Sequence, residues 1–145
     1  ERSLATIGKS LEAPFSDLLL ADYFFAPMRR AGMVKLHDEA FEKSWSRLSS
    51  VIERFPDGEN VRNSAAWLAS RANRRLDDAE KHAAHALESS PSQAAYLDTM
   101  AEVLFARGER GKAVELSSKG LKEQPGDLQL LRQHERFERG DFPPK

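Results

Sequence analysis

The segments DDAEKHAAHALESSP, residues 77–91, and GKAVELSSKGLKEQP, residues 111–125, match at one fixed offset, which carries position 77 onto position 111. Each has the pattern of one amphipathic helix, with a small residue near its start, a small–large pair later, and a proline beyond its end. A period of about 34 residues is typical of arrays of helical hairpins, so it predicts an all-α repeat fold. The matching positions are Ala79, Ala86, Leu87 and Pro91, which recur as Ala113, Gly120, Leu121 and Pro125.

Further helices precede both segments. In residues 94–107 the apolar side chains fall at helical spacing, which predicts a first helix that pairs with the helix of residues 111–125. One repeat earlier, residues 63–72 pair in the same way with residues 77–89. By this pattern Met100 and Leu104 belong to the core.

Two turns connect the helices of these pairs. Gly108 can adopt the left-handed conformation that ends a helix. Arg74 holds the corresponding position one repeat earlier, so we expect Asn73 to take that conformation instead. Asp77, with Glu80 three residues later, predicts an N-cap of the capping-box type.

These residues resemble the tetratricopeptide repeat (TPR) family. The resemblance covers two repeats between about Asn60 and Pro125, followed by a helix similar to the family's C-terminal cap. It implies a right-handed superhelical stack of antiparallel helical hairpins, a TPR-like α-solenoid. Trp67 departs from the pattern, because the family usually has a small residue there. The residues that fit it are Ala79, Ala86, Pro91, Ala101, Gly108, Ala113, Gly120 and Pro125.

The N-terminal part resembles the family poorly but has a related pattern. An apolar helical stripe runs from Phe41 to Phe55 and ends at Pro56, close to one repeat length before Pro91. We interpret it as the second helix of a diverged hairpin whose first helix covers about residues 14–30. Pro27 predicts a break or kink in that first helix. The stripe consists of Phe41, Trp45, Leu48, Val51, Ile52 and Phe55.

The expected organisation is a single domain made of successive hairpins. Its parts are a lead-in (1–13), a diverged N-terminal hairpin (14–58), two TPR-like repeats (59–92 and 93–126), a cap helix (127–140) and a tail (141–145).

Composition excludes several classes of partner. The 22 basic and 23 acidic residues are mixed along the chain, which argues against nucleic acid or a polybasic membrane anchor. The longest apolar stretch, residues 15–28, contains two aspartates and is too short to span a bilayer. The chain starts at Glu1 rather than Met, so we expect a fragment or processed form, and its compartment stays unknown.

No residue set predicts catalysis. The chain has no cysteine, no glycine-rich phosphate loop and no nucleophile elbow, so we expect neither an enzyme nor a cofactor. His82 and His85 lie three residues apart on one helix but lack a third ligand, which predicts a helix-surface role rather than a metal site. His37 and His134 are expected at the surface or at an interface.

The family resemblance implies a partner-binding concave face made by the first helix of each hairpin. At successive steps of the repeat offset that face carries three sets: Ser64, Leu68 and Arg71; Asp98, Glu102 and Phe105; Arg132, Arg136 and Arg139.

Two interpretations of this face stay open. It could be an ion-paired surface in which Glu102 bonds Arg132 or Arg136, with an exposed Phe105 beside it. It could instead bind a peptide or protein segment of mixed charge, whose carboxylate the arginines grip. Some family members bind a C-terminal carboxylate, but Asp98 and Glu102 would repel one.

Two apolar features complete the predictions. Trp67 is expected to be buried, either over Ala79, Ala83 and Ala86 or towards Leu48 and Ile52. The cluster from Leu18 to Phe25 either packs in the core or forms a partner or dimer surface.

The sequence thus favours a non-catalytic protein–protein interaction module that binds a protein or peptide. The alternatives are an accessory or regulatory part of a larger protein whose catalytic part lies upstream of Glu1, and a self-associating domain that uses the Leu18–Phe25 region.

Overall fold

The structure, a computed structural model, describes residues 16–142, and this range is helical with no strand. Helices that follow one another in the chain pack together, and α4 also packs against α6. The expected lead-in, Pro14 and the last three residues lie outside the described range. The elements are α1 Ser16–Leu19, a π-helical turn Leu20–Phe24, α2 Phe25–Arg30, α3 Val34–Arg54, α4 Glu59–Ala72, α5 Leu76–Ser89, α6 Ala94–Ala106, α7 Arg110–Glu123 and α8 Leu128–Arg139.

The period seen in the sequence recurs in the helix bounds. Helix α7 begins and ends one full period after α5, and α8 begins one full period after α6. Below, "first helices" means the segment 16–30 together with α4, α6 and α8.

Three proline turns of the same geometry lead into α4, α6 and α8. In each turn, the amide two residues after the proline donates to the carbonyl just before it, at 3.0–3.2 Å. The residue before each proline has φ between −143° and −133° and ψ between 71° and 77°, outside the helical region that a following proline disfavours. The turns are centred on Pro56, Pro91 and Pro125. The N-terminal hairpin therefore ends in the same way as the two clearer repeats.

The turns inside the hairpins confirm one expectation and correct another. Gly108 and Asn73 both have positive φ, 87° and 55°, as expected. Arg75 is left-handed as well, with φ 49°, and α5 begins directly after it at Leu76. Asp77 therefore lies inside the first helical turn and makes no capping hydrogen bond, so the predicted capping box is wrong. Its carboxylate instead pairs with Arg107.

The irregularity expected before Pro27 is a π-helical turn. The amide of Phe25 donates to the carbonyl of Leu20, five residues earlier. Proline has no amide hydrogen to continue the α-helical ladder, and here the helix is irregular in the turn just before it. The segment 16–30 continues as α2 and packs on α3 and α4.

Two apolar cores hold the helices together. The larger unites the segment 16–30 with α3, α4, α5 and Val103 of α6, and the smaller joins α6, α7 and α8. Leu104 is buried and Met100 is half-buried in contact with both cores. The small residues that allow α5 to approach its neighbours, Ala79, Ala83 and Ala86, are fully buried.

The apolar cluster of the first segment is divided between core and surface. Leu20, Ala21 and Phe25 are buried, as the core interpretation expects. Leu18, Leu19 and Tyr23 are 53%, 50% and 66% exposed. The stripe on α3 is divided in the same way: Phe41, Trp45 and Ile52 are buried, whereas Val51 and Phe55 are exposed.

Trp67 is buried as predicted, with 8% of its surface exposed. Its indole N–H donates to Asp22 Oδ1 at 2.8 Å, a contact with the first segment that the sequence did not predict. The Arg71 guanidinium lies 5.6 Å from the indole ring centroid. Trp67 therefore ties α4 to the segment 16–30.

We expect Trp67→Ala to lower the free energy of unfolding by about 3–5 kcal/mol, because it leaves a cavity and removes the bond to Asp22. Urea denaturation followed by circular dichroism measures the change. The matched control is Phe55→Ala, since Phe55 is 59% exposed and its loss should change stability by less than about 0.5 kcal/mol. Equal stabilities of the two variants would contradict the assigned role of Trp67.

Candidate functional site

The residues predicted for the binding face separate into two levels along the first helices. Ser64 and Asp98, near the start of α4 and α6, line an open cleft. Leu68 and Glu102, one turn later, are enclosed inside the fold. The two levels have different chemistry.

Glu102 is the centre of the enclosed level. Its side chain is fully buried on α6 and accepts hydrogen bonds from two arginines on neighbouring first helices. Arg71 Nη1 of α4 lies 3.2 Å from Glu102 Oε1, and Arg136 of α8 bonds the other oxygen. The ion pairing expected between Glu102 and Arg136 is thus present, but it is buried rather than exposed.

The network extends to the N-terminal segment. Arg71 Nε donates to the carbonyl of Ala21 at 3.4 Å, and Arg29 Nη1 donates to the carbonyl of Arg71 at 2.9 Å. The Arg136 guanidinium also lies over the rings of Phe105 and Phe137, 4.9 and 4.8 Å from their centroids. Four first-helix elements are therefore joined through one carboxylate.

The expectation that Phe105 is exposed is wrong. Phe105 is fully buried because Phe137 of α8 packs 4.8 Å from it and Phe142 stacks on it at 4.2 Å.

The predicted row of arginines is also divided. Arg132 is exposed, Arg136 is turned inwards to Glu102, and Arg139 pairs with Asp141 at 2.7 Å.

The open level is a cleft of about 320 Å³ between the first helices, called the acidic cleft below. Its walls come from the segment 16–30, from the N-terminal halves of α4 and α6, and from the turn and first residues of α8. The described residues that line it are Leu18, Asp22, Asn63, Ser64, Trp67, Ala95, Asp98, Thr99, Gln124, Asp127, Gln129 and Leu130.

Asp98 is the most unusual side chain of the acidic cleft. It is only 5% exposed, and its Oδ1 atom has no hydrogen-bond partner among residues 16–142. Burial, and then the nearby charge of Glu102, raise the pKa of Asp98 to about 7. A buried polar atom without a partner costs roughly 1–3 kcal/mol, so this arrangement destabilises the fold.

Several other polar atoms of the cleft are hydrogen-bond acceptors. Ser64 and Thr99 use their hydroxyl hydrogens within their own helices, donating to the carbonyls of Asn60 and Ala95. Asn63 Oδ1 is buried and, within the described range, has no partner. Asp127 caps α8 by accepting from the amides of Gln129 and Leu130 at 2.7 and 3.1 Å.

Sequence reasoning found Ser64 and Asp98 but missed the rest of the cleft. The repeat offset relates positions on successive first helices, but it does not reveal where neighbouring helices close over a position. The cap Asp127 after Pro125 is a readable signal. Asp22, in a π-helical turn against Trp67, has no such signal.

The histidines make structural contacts. The expectation that His37 lies at the surface or at an interface is wrong: it is fully buried on α3 against α2, where burial lowers its pKa and Phe25 packs 4.8 Å from its ring. His82 lies 3.1 Å from Arg62 Nη1, and His134 lies 2.7 Å from Ser117 Oγ.

In the described part of the chain, no group of three histidine, cysteine or acidic side chains could hold a metal ion. In the same part, no helix is long and apolar enough to cross a membrane.

Compared with known proteins, the sequence matches no protein-family model, and a search of curated proteins gave no match.

Replacement of Asp98 by Asn should stabilise the protein at high pH and not at low pH. The protonated acid is favoured in the folded chain, whereas an unfolded aspartate ionises near pH 4. The wild type therefore loses stability as the pH rises from about 4 to about 7, whereas Asp98→Asn does not. The difference between their free energies of unfolding should change by about 2–4 kcal/mol over this range. Urea denaturation of both proteins at about pH 5 and about pH 8 measures this difference.

Glu88→Gln is the control for that experiment, because it removes an exposed carboxylate on α5. A stability difference between wild type and Asp98→Asn that does not change with pH would contradict the raised pKa of Asp98.

Glu102→Gln should destabilise the fold by about 3 kcal/mol, because Arg71 and Arg136 lose the carboxylate to which both are bonded and keep their charges in a partly buried site. Thermal unfolding measures the loss. Arg132→Gln, which removes an exposed charge from α8, should change stability by less than about 0.5 kcal/mol. Similar melting temperatures for the two variants would show that the Glu102 network is not a structural element.

Proposed function

We propose that this chain is a non-catalytic protein–protein interaction module, a TPR-like solenoid that binds a peptide or protein segment in the acidic cleft. The cleft would lie on the concave face of a right-handed superhelical stack. The observation that carries the proposal is the carboxylate of Asp98, which is buried at a cleft between first helices and whose Oδ1 atom lacks a hydrogen-bond partner within residues 16–142.

The repeat geometry supports the TPR-like part of the proposal. Helix bounds recur with the period of the sequence, and the three proline turns share one hydrogen-bonding pattern. Small residues lie at the contacts within hairpins, as the family pattern requires. The N-terminal hairpin, which consists of the segment 16–30 and α3, differs from the other two. Its second helix has 21 residues, and its first contains a π-helical turn.

The energetics of Asp98 support binding. A fold gains nothing from a buried carboxylate without a partner, and features that lower stability are commonly retained where they serve a function. The volume of about 320 Å³ is at the lower end of the range of ligand pockets, about 300–1,000 Å³. It suits one or two side chains of a partner rather than a large cofactor.

Selection from a random displayed peptide library on the immobilised protein tests this function. Selected peptides should perturb the backbone amide NMR signals of Asn63, Ser64, Asp98 and Thr99. Ser64→Trp, which fills the cleft without adding charge, should weaken their binding at least about tenfold, a loss of about 1.4 kcal/mol.

The matched control is Ser89→Trp. Ser89 is exposed on α5 and, like Ser64, donates its hydroxyl to the carbonyl four residues earlier. Peptides that perturb α5 and α7 instead, or that Ser89→Trp weakens as much as Ser64→Trp, would overturn the proposed site.

A second candidate function is self-association through the N-terminal segment. Leu18, Leu19 and Tyr23 lie within about one helical turn of one another and are at least half exposed, and grouped apolar side chains on a surface often mark protein contacts. Under this alternative, light scattering should show a dimer that Leu19→Ser/Tyr23→Ser converts to a monomer. A monomeric wild type at all concentrations would exclude it.

A further inference from the structure

The acidic cleft is lined by side chains of one charge sign. Three of the described residues that line it, Asp22, Asp98 and Asp127, carry carboxyl groups. None of the described lining residues is basic. The nearest cations, Arg71 and Arg136, lower the pKa of Asp98 through their charges, but both are hydrogen-bonded to Glu102. The described residues that line the cleft itself therefore carry negative charge only.

The hydrogen-bonding capacity of the cleft has the same bias. Asp98 Oδ1 and Asn63 Oδ1 are acceptors without a partner in the described range. The hydroxyl oxygens of Ser64 and Thr99 have already used their hydrogens, so they offer lone pairs only. A ligand group that supplies hydrogen-bond donors and a positive charge would complement the two unpartnered acceptors.

A bare metal ion fits these requirements poorly. Metal ions need three or more ligands converging at about 2.0–2.6 Å, and residues 16–142 contain no acidic or histidine group arranged in that way. The Asp22 and Asp127 side chains are also held in other bonds, to Trp67 and to the α8 amides. An organic cation can bridge acceptors that lie further apart.

From this geometry we infer that the acidic cleft binds a lysine or arginine side chain of the partner segment, with the cationic head at Asp98. This inference rests on the function proposed above and names the partner chemistry. The cleft also offers apolar surface for the aliphatic stem of the bound side chain. This surface comes from the exposed Leu18 and from the part of Trp67 that lines the cleft.

Protonation of Asp98 gives the inference a second readout. A cation stabilises the ionised carboxylate, so binding should lower the pKa of Asp98 from about 7. The charged groups around Asp98 are Glu102 on its own helix, Arg71 on α4, Arg136 on α8 and Asp127 in the turn, together with Asp22 across the cleft. Affinity should therefore rise about tenfold between about pH 6 and about pH 8, because the ionised fraction of Asp98 rises by that factor.

The experiment uses capped pentapeptides that differ only at the central residue: lysine, arginine, norleucine or glutamate. Each is titrated to millimolar concentration into the full chain, and the backbone amide signals of Asn63, Ser64, Asp98 and Thr99 are followed by NMR. The lysine and arginine peptides should shift these signals, and the norleucine and glutamate peptides should not.

Variants assign the interaction to Asp98. Asp98→Asn should weaken binding of the lysine peptide at least about tenfold and abolish its pH dependence. Glu88→Gln, which removes an exposed carboxylate elsewhere, should leave both unchanged. Both variants are checked for native unfolding transitions at the titration temperature.

Several results would overturn the inference. These are equal shifts with the norleucine peptide, binding that Asp98→Asn leaves intact, saturation of the same amides by calcium chloride, and no shift with either basic peptide. If library peptides without a basic residue still bind the cleft, only the cationic inference fails. If library peptides bind elsewhere or not at all, the proposed function fails with it.

Cations of the chain itself are the remaining competitors. Arg2 and Lys9 occur in the sequence before the described range. Without peptide, the amide signals of the cleft are compared between the wild type and Arg2→Gln/Lys9→Gln, and between low and high protein concentration. A change in either comparison would show that the cationic side chain comes from this protein itself. Either result would overturn the assignment to a separate partner.

Discussion

The Glu102 carboxylate, bonded to Arg71 on one side and Arg136 on the other, is the interaction on which the arrangement of the first helices depends. An isolated buried carboxylate would be costly, and so would the two partly buried guanidinium groups. Together they satisfy one another and connect α4, α6 and α8, while Arg71 and Arg29 extend the bonds to the segment 16–30. Apolar packing supplies most of the cohesion, and this network fixes which turn of each helix faces which neighbour.

Asp98 lies four residues before Glu102 on the same helix, but neither of these arginines is bonded to it. Both carboxyl groups are buried, but the arginines reach only Glu102, because they project from the C-terminal halves of α4 and α8. Asp98 faces the N-terminal halves of those helices, where serine, asparagine and a capping aspartate take the place of basic residues. The same helix thus carries a closed level, where the carboxylate is ion-paired, and an open level, where it is not.

The repeat was readable from the sequence because small residues and prolines have few physical roles. Ala79 and Ala86 permit close helix contact, Pro91 stops a helix, and the structure contains helices of matching bounds. Side-chain exposure was less predictable. Phe105 has the spacing of a groove residue, but Phe142, beyond the end of α8, covers it, and no local pattern reveals that contact.

The helix starts give a similar lesson on a smaller scale. Asp77 has the composition of an N-cap, and the same reasoning is correct for Asp127, which caps α8. The difference lies in the turn before each residue. A proline turn leaves Asp127 in the extended conformation that a cap needs, whereas left-handed Arg75 starts α5 earlier and draws Asp77 into the helix.

The three equivalent proline turns have a consequence for how such a chain can change. Their shared backbone geometry makes the joints between hairpins interchangeable, so duplication or exchange of a hairpin would preserve the path of the main chain. The side chains do not share this symmetry: the positions of Leu68, Glu102 and Arg136 are equivalent by repeat but carry an apolar, an acidic and a basic residue. Exchanging two hairpins would separate Glu102 from at least one of its two arginines, so the buried ion pairs depend on the order of the hairpins, whereas the path of the backbone does not.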